Sequence, residues 1–193
     1  MFSPVIRLLR GPVMLCSTYR QRGVGRVKKA AYLALGFLLL VAGPARSSGS
    51  SVLGFETMVA VRGPFVGSTN AIRGVNGGGL PWMISEGRGE LQSDGQLEVQ
   101  VRGLVLFNGA PVPVNLQGTN PITAFRAVVS CLTVVGGSQA TVNISTDPFP
   151  ATADGNAEIQ ATINLPSPCV APIIFVTNGT VAPPGAWFAA TGF

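Results

Sequence analysis

A chain of 193 residues suits one domain with an appendage, since domains of about 100–150 residues are the commonest. Its formal charge of +5 is unevenly divided: 8 of the 13 basic residues lie at or before Arg46 and all 8 acids lie after it, so the region from Ser47 onward sums to 5 − 8 = −3. That acid-leaning region offers no basic patch for nucleic acid, and it contains no His, Lys or Tyr, which removes most acid–base and nucleophilic chemistry.

The first element is a leader. Residues 20–29 (RQRGVGRVKK) are basic, residues 30–43 (AAYLALGFLLLVAG) are apolar and uncharged, and Pro44, Ala45, Arg46 and a serine-rich run come next. That is the order of a secretory signal, with small Gly43 and Ala45 placing a cut after Ala45. The apolar stretch is shorter than the roughly 20 residues that span hydrocarbon as a helix. This favours a cleaved signal, while residues 30–43 stay a candidate membrane tether if the segment is retained. Met14 opens a more ordinary leader, so residues 1–13 read as an over-extended start. Positive charge ahead of the apolar run sends the downstream region across the membrane. The expected division is a leader over 1–45, a small polar linker over 46–56 and a domain over 57–193.

Beyond the linker, strand signals alternate with Gly, Pro and Asn punctuation. Thr57–Val61 and Pro64–Val66 are apolar pieces, and Gly74–Gly79 reads as a loop. The later strand candidates are Trp82–Gln92, Gln96–Phe107, Ala124–Val135, Ala140–Ser145, Ala157–Leu165, Ala171–Thr177 and Ala186–Thr191. No segment sustains a helical period, and 15 Pro with 25 Gly interrupt long helices. The expected fold is all-β, a single antiparallel β-sandwich of about seven to nine strands, preceded by an apolar leader helix.

One hairpin is specified residue by residue. Ser93-Asp94-Gly95 makes a three-residue loop with Gly95 in the left-handed region. Leu91 then opposes Leu97, Gly89 opposes Val99 and Gly87 opposes Val101 on one face. Glu90/Glu98, Arg88/Gln100 and Glu86/Arg102 share the other, as one dry and one wet face require. Ala124–Val135, which alternates less and is apolar on both faces near Val128-Val129, and the similar run Ile173–Val176 read as central strands.

Candidate sites are few. Cys16 belongs to the leader, leaving Cys131 and Cys169 as an even pair in the exported region, the arrangement of a structural disulfide. Their spacing is far from Cys-x-x-Cys, and no His completes a zinc site. Across the hairpin, Glu90 and Glu98 stand about 5 Å apart, the spacing of a retaining glycosidase pair, but on an open strand face. Asp147, Asp154 and Asn156 near a Pro-rich loop read as turn chemistry in preference to a calcium site. Trp82, Trp187 and Phe188 are a candidate ligand surface, with core filling as the ordinary alternative. Trp187 and Phe193 at alternating positions also suit the last strand of an outer-membrane barrel, although the exported region lacks the Tyr of an aromatic girdle. Asn143-Ile144-Ser145 and Asn178-Gly179-Thr180 match the N-glycosylation pattern, which arises often by chance.

The runs Leu97–Val105, Phe125–Leu132, Pro168–Val176 and Gly185–Ala189 resemble a group of small exported bacterial proteins, common among actinobacteria and their relatives. The resemblance spans roughly Val59 to Gly192, and the group's two Cys fall at Cys131 and Cys169. It implies export and one compact domain. The group has no settled activity, so no functional residue carries over.

The expectation is therefore an exported, non-enzymatic domain with a structural or binding role at the cell envelope or outside, without cofactor or metal and with its partner unnamed. The rivals are a carboxylate-based glycan hydrolase using Glu90 and Glu98, and a small outer-membrane barrel.

Overall fold

A computed structural model describes residues 49–191; the expected leader and its tether segment 30–43 lie outside them. The described chain is all-β, with antiparallel strands in open sheets and two short 3-10 turns. The strands are β1 (Ser51–Phe55), β2 (Met58–Ala60), β3 (Trp82–Met83), β4 (Glu86–Gln92), β5 (Gln96–Arg102) and β6 (Val105–Leu106). They continue as β7 (Ala124–Val135), β8 (Ser138–Ser145), β9 (Phe149–Pro150), β10 (Ala157–Thr162), β11 (Val170–Asn178) and β12 (Trp187–Thr191).

One sheet has the order β1-β4-β5-β10, and the other has β2-β12-β11-β7-β8 with β9 also on β7; β3 and β6 form a separate pair. Neither main sheet closes on itself, so the ring of strands that a barrel needs is not what these residues form. Leu91, Val99, Val101 and Ile159 of the first sheet share one core with Phe125, Val129, Ile174 and Val176 of the second. The architecture is thus sandwich-like.

Among the described residues there are 12 strands in place of the seven to nine expected, for local reasons. Two of the expected strands are each interrupted: Trp82–Gln92 divides into β3 and β4, and Gln96–Phe107 into β5 and β6 around Gly103, which takes φ 61. β9 lies within the Pro-rich loop and pairs Phe149 with Phe125. Ser51–Phe55, within the span expected as linker, is an edge strand on β4. Pro64–Val66 is no strand; Gly63–Phe65 makes a 3-10 turn with Pro64 near its start.

The β4–β5 hairpin takes the register read from its alternation, from Glu86↔Arg102 through Glu90↔Glu98 to Leu91↔Leu97. Gly95 takes φ 87 and donates its N–H to Gln92 O at 3.0 Å, which closes the turn. β7 is buried on both faces from Phe125 to Cys131. One face meets the shared core, and the other is covered by the segment between β2 and β3. Arg73 pins that segment: its Nη1 donates to Ser130 O at 2.8 Å, and Asn143 Nδ2 donates to Arg73 O at 3.0 Å.

Candidate functional site

The three aromatics read as a ligand surface are core residues, with Trp82, Trp187 and Phe188 only 3%, 3% and 4% exposed. The reason lies in β12. Successive strand residues point to opposite faces, and the ladder shifts register between Val176 and Thr177 where it meets Trp187. Phe188 stacks on Trp82 at 4.0 Å between ring centroids and meets Phe125 edge-on at 5.9 Å. Trp187 packs at 6.0 Å from Phe175 and 6.4 Å from Phe65. Such pairs add about 0.5–1.5 kcal/mol each beyond the apolar area they bury. They stabilise the fold and leave no ring face for a ligand.

Cys131, buried on β7, and Cys169, half-buried just before β11, stand in disulfide geometry with Cα atoms 4.9 Å apart. The 38-residue separation makes this a long-range tie.

The outer face of the first sheet carries the polar groups. Glu90 and Glu98 are direct cross-strand neighbours, and both are exposed. Beside them, Arg88 pairs with Glu86 at 3.0 Å, and Arg102 reaches Glu158 at 2.9 Å. Gln100 Nε2 also donates to Glu158 Oε1 at 2.9 Å. A shallow recess of about 360 Å³ lies across the sheet, lined by Glu90, Glu98, Gln92, Gln96, Gln160 and Thr162. It is a flat field of amide and carboxylate groups suited to hydrogen bonding. The two carboxylates meet there on an exposed sheet face rather than inside a cleft.

The Pro-rich loop does not gather its oxygens. Asn156 Oδ1 accepts the Gly103 N–H at 3.0 Å, and Asn156 N–H donates to Thr152 Oγ1 at 3.1 Å, while Asp147 and Asp154 face outward. Among the described residues no three His, Cys, Asp or Glu side chains come together. No helix among them is long and apolar enough to cross a membrane.

Two features escaped the sequence reading. Arg126 is only 5% exposed, and its one hydrogen bond is from Nη2 to Gly179 O at 3.2 Å; Nε and Nη1 have no partner among the described residues. No motif in the sequence singles out Arg126, whose cover comes from the β11–β12 loop folding over it. The second is an apolar recess of about 370 Å³ at the far end of β7 and β8, with Leu132, Val134, Pro168 and Val170 among its lining. The signal for it was the run Leu132–Val135 ending at Gly136-Gly137, a hairpin tip reaching past its neighbours.

In comparisons with known proteins, no family model, no curated protein and no solved structure matches this chain.

Proposed function

We propose that this chain is an exported β-sandwich domain that works by binding or by structural association at the cell envelope, without catalysing a reaction. The observation that carries the reading is the pairing of two facts. The region from Ser47 onward has no His, Lys or Tyr, and its two cysteines stand in disulfide geometry. The first leaves carboxylates as the sole acid–base groups, and those that meet lie on an open sheet face. The second belongs to an oxidising compartment, in line with the basic, apolar leader. The resemblance to small exported bacterial proteins points the same way.

Cell fractionation with N-terminal sequencing tests this. The expected result is a form outside the cytoplasm, beginning after Ala45 if the leader is cleaved or held at the membrane through residues 30–43 if it is kept. A full-length cytosolic chain whose Cys131 and Cys169 react freely with an alkylating agent contradicts the proposal.

The direct Glu90↔Glu98 pairing favours a second reading, a glycan hydrolase. Glu90→Gln and Glu98→Gln, each assayed on a panel of glycans, decide it: turnover abolished in either variant supports the hydrolase. The non-catalytic reading expects no turnover to lose.

A further inference from the structure

Among the described residues β8 presents the longest free strand edge, and the hairpin chemistry shows which backbone groups it offers. Gly136 and Gly137, at φ 58 and 82, form the two-residue turn between Val135 and Ser138. Such a turn closes on a pair that exchanges both backbone bonds, and the pairs then alternate along the ladder. Ser138, Ala140, Val142 and Ile144 thus turn their N–H and C=O groups toward β7. The Thr146 N–H bond to Ala127 O at 2.9 Å keeps the same phase. Gln139, Thr141, Asn143 and Ser145 direct theirs outward, and among the described residues no strand lies along that side.

Edges of this kind are ordinarily protected by a charge, a proline or a bulge. β8 has none of these, and residues 127–146 contain no charged residue and no proline. We infer that β8 is a self-association edge, pairing antiparallel with β8 of a second copy about a two-fold axis at Val142.

The strand's own pattern specifies this occupant. Centred on Val142, the pairing sets Val142 against Val142 and Ala140 against Ile144 on the half-buried face. On the outer face it sets Thr141 against Asn143 and Gln139 against Ser145. Every apolar residue meets an apolar one, every polar residue a polar one, and outward backbone groups meet outward groups. Charge points to the same edge. Two copies meeting through the first sheet would bring Glu56, Glu90 and Glu98 against their own kind, whereas the β8 edge brings no charges together. β1 is also uncharged, but it has 5 residues and a register shift, and β2 has 3. Export plays no part in this inference.

Light scattering on the purified native chain tests it, with the expected result twice the single-chain mass. Thr141→Pro removes an outward N–H and leaves the β7 ladder whole, because proline is tolerated on the solvent side of an edge strand. Thr141→Lys adds a charge from each copy beside the axis. Both are expected to give the single-chain mass, and Thr162→Lys on the edge strand β10 is expected to keep the double mass. Thermal unfolding of each variant shows that the fold survives; if Thr141→Pro unfolds early, Thr141→Lys decides. A single-chain mass for the unaltered protein, whether the edge is vacant or taken by another segment of the chain, overturns the inference. So does a double mass that persists in a normally folded Thr141→Lys.

Discussion

Gly95 shows how much can rest on the absence of one side chain. Its φ of 87 lies where an L-residue is strained, and a Cβ placed there would strike Ile163 O. The Ile163 N–H in turn donates to Gly95 O at 2.9 Å, so the turn is fixed from both directions. Gly95→Ala is expected to cost about 2–3 kcal/mol, read as a lower denaturant midpoint at unchanged slope. Arg126 makes the opposite case. A guanidinium buried with one hydrogen bond, and with two nitrogens unpartnered among the described residues, is costly to the fold. Arg126→Met keeps much of its length without the charge and is expected to raise stability by about 1–2 kcal/mol. A fall in the thermal midpoint would instead reveal that the guanidinium has a partner. Gly95 was legible because Ser-Asp-Gly sits between two alternating strands. Arg126 was not, because the loop that covers it lies 53 residues away.

At the scale of elements, the β4–β5 hairpin was readable to the residue because its register is enforced twice, by the turn and by one dry face. It also carries a visible flaw. Glu90 and Glu98 face each other as like charges, a destabilising pair. Glu98→Lys is expected to gain a few tenths of a kcal/mol up to about 1, with the gain shrinking at high salt because both positions face solvent. Thermal midpoints at two ionic strengths check both the sign and the screening. β1 was hidden because its serine and Gly54 resemble the polar run before it; it is recruited by β4, with Ser50 N–H and Ser93 Oγ joined at 3.0 Å. The place of Trp187 and Phe188, left open between a ligand surface and the core, was undecidable from sequence for a related reason. Aromatics near a chain end say nothing about their cover, and Phe65, Phe175, Trp82 and Phe125 come from four other parts of the chain.

For the whole molecule, the consequential feature is how the chain leaves one sheet and returns. Between Cys131 and Cys169 it forms β8 and β9 beside β7, crosses to the other sheet as β10, and comes back as β11 on the far side of β7. No local pattern encodes that path, since alternation fixes which face a strand buries and not which strand it joins. The bridge closes this excursion at its base, and β11 pairs Val170 with Leu132 beside it. Cross-linking a loop with a separation of 38 removes unfolded-state freedom worth about 3–4 kcal/mol on the chain-entropy model. The double variant Cys131→Ala with Cys169→Ala is therefore expected to lower the thermal midpoint by about 10 °C for a domain of this size. Because the excursion includes a strand of each sheet, both should loosen together. Near-ultraviolet circular dichroism, which reports the packed Trp82 and Trp187, and backbone circular dichroism are expected to melt in one transition. Separate transitions would mean that the two sheets hold independently and that the bridge stabilises only the β7–β11 side.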